Sequence, residues 1–110
     1  MRPPRTIRLA SQTVRVERAS HIQLGEEHEH AQAWGLYDGA QPLIIMASGQ
    51  GHDRERNTFL HENLHLLWDI AGLGLAEQEE DIVNRLAPLL LCWLRENPRA
   101  VAYLTEKEAK

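Results

Sequence analysis

The sequence predicts an α+β fold built as a single domain, residues 1–110, and three observations lead there. Through the first fifty residues apolar side chains recur at every second position, the period of a half-buried strand. Beyond Gly49-Gln50-Gly51 they recur at every third or fourth, the period of a helix. A chain of 110 residues, 43% hydrophobic and 25% charged, has enough apolar surface for one core and too little length for a second. The expected architecture is a small antiparallel sheet of about three to four strands, followed by a long helix, a second glutamate-bearing helix and a short C-terminal helix.

The elements follow in order. Thr6-Ile-Arg-Leu and Val14-Arg-Val-Glu-Arg alternate apolar with polar and flank a turn candidate at Ser11-Gln12, so they read as a hairpin. Glu26-Glu-His-Glu-His has no apolar period and reads as a solvated loop. Strand character returns at Ala33-Trp-Gly-Leu-Tyr, turns at Asp38-Gly39, and resumes in Pro42-Leu-Ile-Ile-Met-Ala as a second hairpin. The long helix is expected to start at Asp53 as N-cap, to carry Leu60, Leu64, Leu67, Trp68 and Ala71, and to end at Gly72 and Gly74. Glu77, Glu79, Glu80 and Asp81 crowd the start of the next helix, where the macrodipole favours negative charge. Its expected buried stripe is Ile82, Val83, Leu86, Leu90 and Leu94, with a kink at Pro88 and a stop at Asn97-Pro98. Arg99 to Glu106 then suit a last short helix.

Composition narrows the function classes. Twelve Lys and Arg against sixteen Asp and Glu leave a net charge of −4, which speaks against a nucleic-acid binder that must neutralise phosphates. The longest apolar stretch, Ala87 to Leu94, is far shorter than a membrane span, and the basic start is followed by no apolar run. With Cys92 as the one cysteine, no internal disulfide is possible. The expectation is therefore a cytoplasmic protein with no membrane partner. Cys92 is expected to be buried and inert, and Trp34, Trp68 and Trp93 to be core.

Chemistry enters with His61-Glu62-Asn63-Leu64-His65, an H-E-x-x-H match inside the long helix. The i,i+4 spacing sets two imidazoles one turn apart on one face, the bite of a single Zn²⁺. Glu62 follows the first ligand by about 100° of helix rotation, where its carboxylate can serve as a base without occupying a coordination position. The apolar flanks Thr58-Phe-Leu and Leu66-Leu-Trp bury this turn, and a buried glutamate is costly without a cation. A catalytic zinc site takes a third protein ligand and keeps a fourth position open. The metzincin pattern is excluded, because Trp68 stands where it requires glycine and Ala71 where it requires histidine. Glu77, Glu79 and Glu80 remain as third-ligand candidates; Glu79 and Glu80 can both face inward, while Glu77 sits at the helix entrance.

The stretch from Gly35-Leu-Tyr-Asp through Leu43-Ile-Ile-Met and Arg54-Glu-Arg-Asn-Thr-Phe-Leu-His-Glu-Asn-Leu-His to Glu80-Asp-Ile-Val-Asn-Arg-Leu-Ala resembles small zinc metallopeptidases of the ImmA/IrrE and SprT-like kind, including compact phage-encoded versions. The resemblance covers about half the chain. It implies a gluzincin-like minimal core with a strand just before the motif helix, and a zinc ligand on the next helix followed four residues later by Asp or Asn. Glu80 with Asn84 has that spacing, so the resemblance implies a site of His61, His65 and Glu80, with Glu79 in reserve. It also implies hydrolysis of a peptide bond in a protein or peptide substrate by a zinc-activated water, with Glu62 as general base. An extended substrate is expected to add as a strand to Leu43–Ala47, and His52, Tyr37 and Tyr103 are oxyanion-donor candidates by type. The alternative is a non-catalytic, zinc-stabilised interaction module, such as a phage accessory protein. Two smaller expectations complete the reading. His28 and His30 belong to a solvated loop rather than to a second metal site, and Asp69, one turn after His65, can orient an imidazole or stay exposed.

Overall fold

The structure is a computed structural model that describes residues 1–20, 34–74 and 77–107. His28 and His30 lie outside the described residues. Four strands and three helices follow the expected order: β1 Thr6–Leu9, β2 Gln12–Ala19, β3 Gly35–Asp38, β4 Leu43–Ala47, α1 His52–Ile70, α2 Glu79–Glu96 and α3 Pro98–Thr105. No helix among the described residues is long and apolar enough to cross a membrane.

Both hairpins form. β1 pairs antiparallel with β2 around a two-residue turn, Ala10-Ser11, whose φ angles of 51° and 69° give the handedness that suits a tight hairpin. The turn thus falls one residue earlier than the Ser11-Gln12 expectation. β3 pairs antiparallel with β4, with Gly35 opposite Met46 and Asp38 opposite Leu43. The sheet as a whole is not antiparallel, however. Its order is β1-β2-β4-β3, and β2 joins β4 in parallel register from Arg15 opposite Leu43 to Ala19 opposite Ala47. The physical reason lies in β4, where all five residues of Leu-Ile-Ile-Met-Ala are buried. A strand apolar on both faces belongs in the middle of a sheet, and the central place here requires β2 on one side and β3 on the other.

Alternate residues of β4 serve two apolar clusters. Ile44 and Met46 face Val14, Val16 and Leu66 of α1, with Tyr37, Phe59 and Ile70 at the margin; Leu43, Ile45 and Ala47 pack with Ala19, Trp34 and Leu36. Gln50 links sheet and helix: its amide N–H groups reach the carbonyls of Trp34 and Ala47 at 3.0 and 2.9 Å, and its Oε1 accepts the Thr58 hydroxyl at 2.8 Å.

α1 begins at His52 with Gly51 as N-cap, so Asp53 lies inside the first turn and makes no capping bond. There it accepts a hydrogen bond from Arg95 at the far end of α2, as the antiparallel course of the two helices allows. α2 continues through Pro88 as one helix. Its buried residues are Val83 and Ala87, with Leu90, Leu91 and Leu94 half-buried. Ile82 and Leu86, expected in the buried stripe, are exposed, as are Leu89 and Trp93. α2 is apolar around most of its circumference, and the line that turns inward is the one shared with Glu80. Cys92 is on the outer side, its thiol donating to Glu96 at 2.8 Å, which raises the thiol pKa; the expectation of a buried cysteine is corrected. Trp93 is likewise no core residue, while Trp34 and Trp68 are half-buried.

Candidate metal centre

The site is built where the C-terminal half of α1 meets the first turn of α2. His61 is buried, at 6% exposure, and His65 projects from the same face one turn on. The two Nε2 atoms are 3.3 Å apart. Glu80, the second residue of α2, spans both: Oε1 lies 3.1 Å from His61 Nε2 and Oε2 lies 2.9 Å from His65 Nε2. One ligand atom from each of the three residues falls within 4.8 Å of the others.

Glu79, the reserve ligand, takes another place. Its Oε2 accepts the Nδ1–H of His65 at 2.5 Å. With the proton on Nδ1, the Nε2 lone pair of His65 is directed at the centre, and Glu79 takes the place of the outer carboxylate in a carboxylate–histidine–metal arrangement. Burial holds the His61 pKa below the ordinary imidazole range, opposed by the Glu80 carboxylate and reinforced by His65. A neutral His61 also offers a lone pair. Two imidazole nitrogens and a carboxylate oxygen converge there within 4.8 Å of one another, an arrangement that could hold a cation. The set of two nitrogens and one oxygen suits zinc with an open position. Glu77 takes no part in this group.

Glu62 lies beside the centre and is 2% exposed. Burial first, then the nearby Glu80 charge, raises its pKa from 4.5 to about 8, although a hydrogen bond from the Tyr37 main-chain N–H pulls the other way. Only glycine fits where β3 passes over it. A Cβ on Gly35 would come within 2.7 Å of Thr58 Cγ2 and 3.0 Å of Glu62 Oε2.

Two openings flank the centre. On the His61 side a cleft of about 260 Å³ is lined by Trp34, Arg54, Asn57, Thr58, Glu62 and Asn84, among others. On the His65 side a groove of about 500 Å³ runs between Tyr37, Trp68, Asp69 and Glu79. Asp69 does not orient an imidazole; it accepts the Tyr37 hydroxyl at 2.6 Å, and burial together with that carboxylate raises the Tyr37 pKa. Of the oxyanion-donor candidates, Tyr37 alone lines an opening beside the centre. His52 begins α1, exposed and 3.2 Å from Asp53, roughly 13 Å along the helix from His61 at 1.5 Å per residue. Tyr103 is exposed on α3. Missing from the sequence-derived set were Asn57 and Arg54, which lie one and two turns before His61; the i−4 spacing of Asn57 from His61 was the available signal.

Searches against protein-family models, curated proteins and solved structures return no match for this chain.

Proposed function

We propose that this chain is a zinc-dependent metallopeptidase-like hydrolase that cuts peptide bonds in a protein or peptide substrate. The observation that carries the reading is the convergence of His61, His65 and Glu80 beside a buried, proton-holding Glu62. The three residues would hold the ion, and zinc bound there would supply Lewis-acid polarisation of a peptide carbonyl and of water.

The chain's own groups provide the rest. Glu62 accepts a proton at its carboxylate as the water oxygen bonds to the carbonyl carbon, then delivers it to the nitrogen as the C–N bond breaks. In the metal-free protein the Glu62 carboxyl is pushed up to about 8, and a cation beside it would favour the ionised form that accepts a proton. The Tyr37 main-chain N–H steadies one Glu62 oxygen while the other is left for proton transfer. A substrate strand cannot add to Leu43–Ala47, because β4 is already paired on both sides. The open edge is β3. Trp34 O accepts Ala47 N–H, so Gly35 and Tyr37 direct their main-chain groups away from β4; the Tyr37 N–H is taken by Glu62, which leaves the main-chain groups of Gly35 and the Tyr37 carbonyl for an extended peptide.

The test is metal content and cleavage together. The purified protein should hold about one zinc per chain; His61→Ala should lose it; Glu62→Gln should keep it and cut no peptide pool that the wild type cuts. Equal turnover by Glu62→Gln would sink the catalytic role. A second reading, a zinc-stabilised interaction module, is favoured by the way Glu80 joins α2 to both histidines of α1. It prevails if zinc binds and stabilises the chain while no peptide pool is cut.

A further inference from the structure

The cleft on the His61 side has chemistry that the proposed hydrolysis does not use. Arg54 lies with its guanidinium carbon 4.4 Å from the Trp34 ring centroid. Among the described residues it has no carboxylate partner, whereas Arg15, Arg18, Arg56, Arg85 and Arg95 each pair with an acid. The ring contact holds the guanidinium at the cleft wall, and its N–H groups can make the bidentate contact that arginine makes with carboxylates. One turn along the same helix, the side-chain oxygen Oδ1 of Asn57 is buried and has no hydrogen-bond donor among the described residues. An acceptor buried without a donor costs about 1–3 kcal/mol, and because Asn57 lines the cleft, a rotation of its amide would offer Oδ1 to a donor that enters there. Arg54 and Asn57 stand on the line that continues to His61, so whatever occupies the cleft lies next to the proposed reacting centre.

One ligand class meets both needs. A peptide brings a main-chain N–H for Asn57 Oδ1 and, where the residue is acidic or chain-terminal, a carboxylate for Arg54. We propose that this cleft is a carboxylate-recognition subsite, in which Arg54 held on Trp34 and Asn57 select peptides with an acidic side chain or a free C-terminus beside the bond to be cut. The proposal rests on the hydrolase reading for the meaning of that bond, and its own content is a binding preference. The two carboxylate sources differ in one respect: a chain terminus can enter only if cleavage occurs near the end of the substrate.

The test uses zinc-loaded full-length Glu62→Gln protein, so that binding is read without turnover. Randomised decapeptide pools are presented with the central residue fixed as Asp, Glu, Asn or Gln, and a further pair ends in a free carboxylate or an amide. Retention of the Asp or Glu pool at least about tenfold above its amide counterpart assigns a side-chain subsite. The same excess confined to the free-terminus pool assigns a terminal one. Arg54→Gln should erase the preference, Arg54→Lys should restore part of it, and Asn57→Ala should weaken every pool while leaving the preference in place. Arg54 is exposed, so its two substitutions leave the core intact. Equal retention of acid and amide pools, or no retention of any pool, overturns the subsite, as does a preference that survives Arg54→Gln. Wild-type cleavage distinguishes the two readings. Binding preference without cleavage refutes the hydrolase and leaves the subsite; cleavage without preference does the reverse.

Discussion

Replacing Glu62 with glutamine should stabilise the metal-free protein, and by an amount that grows with pH. The folded carboxyl titrates near 8 and an ordinary one near 4.5. Below the lower value both folded and unfolded chains hold the proton, and ionisation costs nothing. Between the two, the unfolded chain releases its proton while the folded chain keeps it, so stability falls by about 1.4 kcal/mol per pH unit. At pH 7 the loss reaches about 3 kcal/mol, and above pH 8 it levels off near about 5 kcal/mol. Glutamine has the same shape, can still accept the Tyr37 N–H, and never ionises. Urea unfolding in the presence of a chelator at pH 5, 6, 7 and 8 measures the difference. With a slope of about 1–2 kcal/mol per molar urea, the midpoint at pH 7 should rise by about 2 M. The depressed pKa of His61 acts in the opposite sense, adding stability above its ordinary range that is lost as pH falls. It is common to both proteins and largely cancels. Saturating zinc should shrink the gap, because a cation beside Glu62 favours the ionised form. A difference that is flat across pH, or a variant less stable than wild type at pH 8, would refute the argument.

Further outcomes test other parts of the structure. Gly35→Ala forces a methyl against Thr58 and Glu62 and should cost about 1–3 kcal/mol in thermal or urea unfolding; adding Thr58→Ser, which removes the nearest carbon and keeps the hydroxyl for Gln50, should recover part of the loss. Glu79→Gln should leave the fold intact and weaken zinc about 10- to 100-fold in a chelator competition, through loss of the charge on His65 Nδ1, whereas Glu80→Ala should remove stoichiometric binding. Zinc at about 100 times its dissociation constant should stabilise wild type by about 3 kcal/mol and His61→Ala by nearly nothing, read as a shift in unfolding midpoint.

What the sequence disclosed follows from how local each signal is. The two hairpins and the three helices rest on periodicity and turn residues within a few positions of each other, and their order is as expected. The parallel contact between β2 and β4 is made between residues far apart in the chain, and no local pattern names that partner. Its trace was nonetheless present: Leu43–Ala47 lacks the alternation that β2 has, as a strand buried on both faces must. The inner face of α2 was ambiguous for a different reason. Ile82-Leu86-Leu89-Trp93 and Val83-Ala87-Leu90-Leu94 are both apolar lines, and hydrophobicity alone ranks the larger residues first. The polar residues decide it, because Glu80 must reach the histidines of α1, and that rotation carries Val83 and Ala87 inward. Glu79 was placed on the inner side of α2 by spacing, but its contact with Nδ1 of His65 rather than a place in the ligand group depends on the packing angle between helices.

The donors and the proton carrier depend on different parts of the molecule. His61, His65 and Glu80 belong to two helices consecutive in the chain. Glu62 depends in addition on β3 lying over it, on Gly35 allowing that approach, and so on an edge strand that pairs with one neighbour, β4, and is tied to α1 through the Tyr37–Asp69 hydrogen bond. Opening of the sheet edge is a local event, cheaper than global unfolding. A molecule opened in this way would keep His61, His65 and Glu80 together and admit water to Glu62, whose carboxyl would then revert toward ordinary acidity. On the proposed hydrolase reading, fraying of this short outer strand would uncouple metal retention from proton transfer.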